Sequence, residues 1–260
     1  MMTALRIAAT GMQAQQMNVD VLSNNISNVN TTAYKRQKAA FTDLMYQSNI
    51  GVGALTSATG SQAPTGAQVG LGVNIGSVYR INTQGNVNET GNGLDIAIQG
   101  RGYFRVQLPD GRTAYTRDGS FQVNQDGQIV NKDGYLLDPN ITVPPDATQL
   151  TISDRGIVSA KINEVITQLG EITLSMFVNE AGLENIGDNL ALETEVSGAP
   201  TDTAPTENGS GGLLQYYLEG SNVDPIEAVT SLITAQRAYE LNSRVIATAD
   251  EMLNAVNQIR

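Results

Sequence analysis

Four aspartates are the residues best suited to chemistry in this 260-residue chain, because paired carboxylates can act as general acid and base or hold calcium. They are Asp110, Asp118, Asp126 and Asp133. Each precedes a glycine, which is typical of tight turns, and the alternating acidic spacing of a calcium loop is absent. The pattern therefore favours turns over a glycosidase-like pair or a metal site.

Two short segments suggest other binding functions. GLGVNIG, residues 70–76, is rich in glycine but lacks dinucleotide-loop spacing, so we expect no cofactor. The basic cluster YKRQK, residues 34–38, either meets an acidic patch on a neighbouring copy or forms a solvated helix end. Nucleic acid is a poor partner, because the net charge of -11 repels phosphate.

Composition argues against an enzyme. The chain has no His and no Cys, which removes the commonest general base, thiol nucleophiles, disulfides and the commonest transition-metal ligands. Neither a secretory signal peptide nor an apolar stretch of about 20 residues is visible, so we expect no membrane insertion.

Residues with heptad spacing occupy both ends of the chain. The repeating positions are Leu5, Met12, Val19, Leu22, Ile26 and Val29 at one end and Leu232, Tyr239, Ile246 and Leu253 at the other. This spacing is typical of coiled coils. It predicts a helix over residues 3–29 with Thr3 as N-cap, and a second from Pro225 to Ile259 with Asp224 as N-cap.

Short β-type runs separated by turn signals fill the middle. The predicted strands are 94–98, 103–107, 113–116, 121–123, 128–130, 150–152, 157–160, 171–177, 190–195 and 214–220. Residues 49–76 are rich in Gly, Ala, Ser and Thr, and residues 197–212 have a linker-like composition. The predicted fold class is α+β, with long terminal helices paired as a coiled-coil-like domain, an inserted all-β domain and an extended connector.

These patterns predict three regions. A helical domain comprises residues 1–36 and 221–260, an extended connector 37–88 and 197–220, and a β-rich outer domain 89–196.

The first helix raises a question, because asparagines on its helical pattern are poor helix formers. Its polar face carries amides and hydroxyls, and only Arg6 and Asp20 are ionised before Tyr34. One hypothesis is that the terminal helices are completed by neighbouring copies, with Asn24, Asn25 and Asn28 in the assembly interface. The alternative is a folded helical hairpin under a β domain with no partner.

Three segments resemble flagellar axial proteins, the family of rod and hook subunits. SNNISNVNTTAYKRQ at 23–37 resembles the N-terminal motif, with Ala33 and Tyr34 where Gly and Phe are usual. SNVDPIEAVTSLITAQRAYELNSRVI at 221–246 resembles the C-terminal motif. LDIAIQGRGYFRVQLPDGRTAYTRDGSFQVNQDGQIV at 94–130 resembles the middle. The likeness covers nearly the whole chain.

The resemblance implies a structural subunit that polymerises into a hollow, torque-transmitting rod, with terminal helices inside and β domains outside. The implied partners are other copies, proximal rod proteins, hook protein, P-ring and L-ring proteins and the flagellar type III export apparatus. The implied location is the basal body, from periplasm to outer membrane, after export without a cleaved signal peptide.

The likeness of residues 41–47 and 178–194 favours the distal rod. Proximal rod or hook is the alternative within the family. An adhesin or enzyme with helical stalks is the alternative outside it. In a rod, we expect residues 49–76 to order against neighbouring subunits and stiffen the shaft.

Overall fold

A computed structural model describes residues 2–50 and 65–258, and the chain divides into two compact units. Unit 1 comprises residues 1–27, 37–80 and 224–260, and unit 2 comprises residues 28–36 and 81–223. The fold is mixed α and β, with a helix at each end and a large β-rich middle. The predicted α+β class is confirmed at this level.

Unit 1 contains both long helices and two β-ribbons. Its elements are α1 Met2–Ser27, β1 Gln37–Asp43, β2 Tyr46–Ile50, β3 Ala67–Gly70, β4 Val73–Arg80 and α2 Pro225–Gln258. α1 includes Thr3, which is therefore not its N-cap. α1 also ends before Val29, because Asn28 begins a turn in which its C=O accepts from the Thr31 N–H at 3.2 Å.

The start of α2 follows the predicted capping pattern. The Asp224 Oδ1 accepts from the N–H groups of Ile226 and Glu227 at 2.8 and 3.2 Å. Pro225 is the first helical residue, where its missing N–H has no intrahelical role. The helix then continues to Gln258.

The segment predicted as an extended connector contains antiparallel strands. β1 pairs with β4, and β2 pairs with β3. β3 and the start of β4 lie inside the stretch 49–76, in which composition gives little structural signal. The predicted stiffening stretch 49–76 lies partly outside the described residues, which leave out 51–64, and its role stays a prediction.

Unit 2 contains the remaining strands. They are β5 Val87–Glu89, β6 Ile96–Gln99, β7 Phe104–Gln107, β8 Thr113–Thr116, β9 Phe121–Val123, β10 Ile129–Asn131, β11 Leu136–Asp138, β12 Ala147–Ile152, β13 Ile157–Ile162, β14 Val165–Glu171, β15 Leu174–Met176, β16 Glu184–Gly187, β17 Leu190–Leu192, β18 Thr201–Thr203, β19 Gly212–Gln215 and β20 Tyr217–Glu219. A 3-10 turn spans Glu180–Gly182.

A seven-stranded sheet organises unit 2, in the order β16-β17-β8-β7-β11-β10-β9. β12, β13 and β14 form a three-stranded sheet, and β15-β18, β19-β6 and β20-β5 are pairs. The main core contains Phe104 and Phe121, whose rings meet edge to face at 5.2 Å, together with aliphatic side chains from several strands. β19 contributes Leu213, so the core needs the C-terminal part of the unit.

The aspartates singled out above lie in turns or tightly packed backbone. Gly111, Gly127 and Gly134 have positive φ, and the N–H of each bonds back three residues, which confirms the turn prediction. Gly119 differs: an added Cβ would lie 1.7 Å from the Ile96 O, so close packing requires glycine there.

Three stretches differ from the predicted strands and linker. The predicted strand 171–177 is interrupted, because β14 ends at Glu171 and β15 covers Leu174–Met176. Residues 214–220 do not form one strand, because Tyr216 has a φ of 71° and separates β19 from β20. The linker-like stretch 197–212 contains β18, which pairs with β15, and Ser197 is fully buried. The polar residues there form hydrogen bonds within a folded unit: the Ser197 N–H and hydroxyl both donate to oxygens of Thr194.

Candidate functional site

α1 packs on α2, and most of the buried side chains of the two helices are small. The buried side chains of α2 are alanines at 228, 235 and 249, on a seven-residue spacing that also includes Asn242. In α1, Ala8, Ala14 and Val21 are buried, and Gly11 lies against Asn242. Small side chains let two helix backbones approach closely. The heptad pattern thus located both helices, although its larger residues are not the most buried.

The predicted assembly residues lie mostly at the margin of this packing. Half-buried positions are Leu5, Met12, Val19, Leu22, Ile26, Asn28, Val29, Leu232, Ile246 and Leu253. Asn25 is buried, Asn24 is exposed, and Tyr239 is 41% exposed. Val19 and Tyr239 line one groove of about 480 Å³ between the helices, with Gln16, Gln236 and Glu240.

Large apolar residues that sequence reasoning did not select are more exposed. On α2 they are Ile226, Val229, Ile233, Leu241, Val245 and Met252. Ile226 is 78% exposed and Leu241 is 61% exposed. The i, i+3, i+7 spacing of Ile226, Val229 and Ile233 was a signal for a second apolar stripe. Exposed apolar residues spaced in this way along a helix are typical of an interaction surface.

Asn25 answers the question that the asparagine-rich helix raises. Its Nδ2 donates to the Gln37 C=O, and its Oδ1 accepts from the Gln37 N–H, both at 2.8 Å. The amide therefore pairs with the first residue of β1 as a neighbouring strand would. Ala or Leu would favour the helix more but could not form these two bonds.

Unit 2 holds a buried ion cluster, defined as Lys35, Arg117 and Glu219. The two Glu219 oxygens divide the cations: Oε1 accepts from the Lys35 Nζ at 2.5 Å, and Oε2 accepts from the Arg117 Nε at 2.9 Å. Each of the three side chains is at most 5% exposed. The Gly85 N–H also donates to Oε1 at 2.9 Å.

The two cations have different numbers of other partners. Arg117 donates to the C=O groups of Gly100 and Gly102, and its guanidinium lies 5.8 Å from the ring centroid of Tyr103. The Lys35 Nζ donates to the Thr83 C=O at 2.9 Å. Arg117 is therefore held by unit 2 more firmly than Lys35 is.

Electrostatics within the ion cluster follow from two cations beside one carboxylate. Burial raises the pKa of Glu219, but Arg117 and Lys35 outweigh burial and hold that pKa below its ordinary value. Burial, followed by the Arg117 charge, lowers the pKa of Lys35, although Glu219 opposes the change. Glu219 is therefore the group on which both buried charges depend.

Asn222 forms hydrogen bonds with residues at the limits of unit 2, where the chain enters and leaves that unit. Its Nδ2 donates to the C=O groups of Ile81 and Thr83 at 2.8 and 3.0 Å, and its Oδ1 accepts from the Arg36 N–H at 2.7 Å. The Ile81 N–H donates to the Arg36 C=O at 2.9 Å. Residues near 36, 81 and 222 are thus fixed to one another.

The two interpretations of the basic cluster 34–38 are both wrong for Lys35. Lys35 is 4% exposed and pairs with a glutamate of its own chain, 184 residues away. It therefore meets neither bulk solvent nor a neighbouring copy. The local sequence held no signal for this pairing, because the spacing between two distant residues says nothing about their contact.

A metal site requires clustered ligating side chains, and a membrane-spanning helix requires length and apolarity. Across residues 2–50 and 65–258, His, Cys, Asp and Glu side chains form no group of three or more that could hold a metal ion. Within the same ranges, neither helix has the length and apolarity needed to cross a bilayer.

Three family models match separate parts of the chain. "Flagella basal body rod protein" matches residues 5–35, "Flagellar hook protein FlgE/F/G D1 domain" matches 97–160, and "Flagellar basal body rod FlgEFG protein C-terminal" matches 214–259. Each match contains one member of the ion cluster, Lys35, Arg117 and Glu219 in that order. The matches define a flagellar axial protein of the rod and hook class.

Full-length relatives narrow this class. The chain is 56% identical to the flagellar basal-body rod protein FlgG of Caulobacter vibrioides, with all of both chains covered. It is 52% identical to FlgG of Agrobacterium fabrum over 99% of both, and 38% identical to FlgG of Bacillus subtilis over all of both. The chain belongs to the FlgG family of flagellar basal-body rod proteins. It is a structural subunit of the flagellar basal body rather than an enzyme.

Proposed function

We propose that this chain polymerises helically into the distal rod, a rigid hollow shaft that transmits torque from the motor to the hook. The observation that carries the proposal is the exposed apolar surface of α2, including Ile226, Ile233 and Leu241. Such a surface is unfavourable in water, and contact with other copies would remove it from solvent.

Coiled-coil-like pairing of the terminal helices is part of this proposal. α1 and α2 pack against each other, and the alanine spacing in α2 is seven residues. The half-buried residues Leu5, Met12, Val19 and Ile246 border that contact. In the proposed rod, they and the exposed stripe pack against neighbouring copies, and interdigitated side chains resist slippage.

The charge distribution supports different roles for the two units. Unit 1 carries six Lys and Arg against seven Asp and Glu, whereas unit 2 carries nine against 19. A nearly neutral unit avoids the cost of burying unpaired charges between copies. A strongly acidic unit suits a solvated surface. The predicted three-part domain organisation stays part of the proposal.

The specific partners are also proposed. The rod would join proximal rod proteins at one end and hook protein at the other, and P-ring and L-ring proteins would surround it. The chain would reach its site through the flagellar type III export apparatus without a cleaved signal peptide. The FlgG name of the relatives and the resemblance of both terminal motifs support these assignments.

Electron microscopy of the purified full chain tests the proposal. At increasing protein concentration, we expect tubes of uniform diameter, with a matching loss of monomer in sedimentation velocity. Tubes that bind hook protein at one end and proximal rod proteins at the other would support the distal position. A chain that stays monomeric under all assembly conditions would overturn the proposal.

A further inference from the structure

Residues 28–36, named here the motif segment, belong to unit 2 although they directly follow α1. Lys35 is the residue of this segment that enters the ion cluster, where it meets the carboxylate of Glu219. The segment also has backbone bonds to the end of the unit. The Ala33 N–H donates to the Glu219 C=O at 2.7 Å, and the Asn222 N–H donates to the Tyr34 C=O at 3.3 Å.

The ion cluster contains more positive than negative charge, so both of its cations depend on the same carboxylate. It contains two cations and one carboxylate, and all three side chains are buried. If the carboxylate loses its charge, two buried cations are left near each other without compensation, which is strongly unfavourable. One of them must then lose its proton or move to solvent.

Lys35 is the cation that can leave. Arg117 keeps two backbone carbonyl acceptors and the face of Tyr103, whereas Lys35 keeps the Thr83 carbonyl. Burial and Arg117 already lower the pKa of Lys35, so its charged form is held at a cost. Arg117 also lies directly after β8 of the large sheet. Lys35 lies on the short segment 28–36 of unit 2, and the chain belongs to unit 1 on both sides of this segment.

We propose that Glu219 is a positioning residue that switches the motif segment between a docked state and a released state. Its carboxylate is delivered by β20, near the C-terminal end of unit 2. The motif segment can dock fully only when β20 has paired with β5 and placed the carboxylate beside Lys35. Correct placement of an N-terminal motif thus depends on a strand more than 180 residues later. This dependence is a property of the single chain and does not rest on polymerisation.

A comparison of single and double variants of the full-length chain tests the switch. Glu219→Gln keeps the shape of the side chain but removes its charge and one of its two acceptor oxygens. At a dilution that keeps the chain monomeric, we expect amide exchange at Ala33 and Arg36 to become about tenfold faster or more. Exchange at Ala114 in β8 should change little. Glu89→Gln, an exposed change on the strand paired with β20, is the matched control and should leave both unchanged.

The decisive variant is Lys35→Met combined with Glu219→Gln. It removes the cation that the first change expels, so the motif segment should dock again and exchange at Ala33 and Arg36 should slow. General damage to unit 2 predicts the opposite, because two buried changes would then add. If Glu219→Gln unfolds the whole unit, the same comparison is made with thermal midpoints, and the double variant should melt higher. A double variant that exchanges as fast as Glu219→Gln, or melts as low, would overturn the proposal.

Discussion

Gly11 of α1 lies directly against Asn242 of α2, so that a Cβ placed on the glycine would be 2.9 Å from the Asn242 Nδ2. The close approach explains why a residue that costs about 1 kcal/mol in a helix interior stands here. Most buried side chains of the two helices are alanines, and most of their larger apolar residues are half-buried or exposed.

Enlarging Gly11 should therefore weaken assembly through the helix pair. Gly11→Leu forces the backbones apart, with a cost of about 1–3 kcal/mol for overpacking. We expect the protein concentration needed for assembly, measured by sedimentation, to rise by roughly tenfold or more, since about 1.4 kcal/mol is a factor of ten. Ala9→Leu, at an exposed position of the same helix, is the control. Equal assembly by the two variants would argue against the observed packing.

Asn25 should matter through its two bonds to Gln37. Asn25→Ala leaves the N–H and C=O of Gln37 without their side-chain partner, which costs about 1–3 kcal/mol for buried polar groups. Amide exchange at Gln37 in assembled particles should accelerate by about tenfold or more. Ser23→Ala, on the exposed face of α1, should leave that amide protected. An unchanged Gln37 amide in Asn25→Ala would contradict the proposed role.

Aspartate in the apolar surface of α2 should block polymerisation. Ile233→Asp and Ile246→Asp each place a charge where neighbouring copies are proposed to pack, without a partner to compensate it. We expect monomers in sedimentation velocity and a folded unit 2 by amide exchange. Asn254→Asp adds the same charge at an exposed polar position and should still assemble. Normal tubes from the isoleucine variants would place the interface elsewhere.

Acid should destabilise unit 2 through Glu219. Because its pKa is lower in the folded chain than in the unfolded chain, its contribution to stability is present above the ordinary carboxyl range and disappears as the pH falls through the lowered pKa. Lys35, Arg117 and the Gly85 N–H face this carboxylate, and Glu180 acts on Lys35 from a distance. Denaturant unfolding from neutral to acid pH, followed by tyrosine fluorescence, should show a decline that is shallower in Glu219→Gln. Parallel curves would contradict the assignment.

The acidic excess of unit 2 should make assembly depend on salt. Copies brought together in a polymer repel one another through this charge, and about 0.15 M salt reduces the screening length to about 8 Å. Raising the salt concentration over this range should lower the protein concentration needed for assembly. Replacing Asp126 and Glu164, both exposed acids of unit 2, by Asn and Gln should reduce that dependence. A salt response identical to that of the unmodified chain would contradict this explanation.

Sequence patterns predicted the positions of helices and turns better than they predicted which residues contact each other. Heptad spacing found both helices, and the Asp224 cap and the glycine turns were confirmed because such signals act within a few residues. The strands β1 and β4 were missed, since their stretch shows little alternation of apolar and polar residues. A heptad identifies a helix face, but it does not tell whether that face is buried within one chain or between chains.

The contacts of Asn25 and Lys35 were less predictable than the fold, because they join residues that are distant in the sequence. The asparagine motif pointed to residues 24, 25 and 28, yet the two bonds from Asn25 to Gln37 depend on where β1 begins. The pairing of Lys35 with Glu219 spans nearly the whole chain. Long-range partners of this kind follow from the completed fold.

Amide exchange across α1, compared between dilute monomers and assembled tubes, tests the central claim most directly. The claim is that the terminal helices gain their full order from neighbouring copies, because a helix of this composition is marginal by itself. We expect residues 5–27 to exchange rapidly in micromolar monomers and slowly in tubes, while the core of unit 2 stays protected in both. Strong protection of α1 in the dilute monomer would contradict the account.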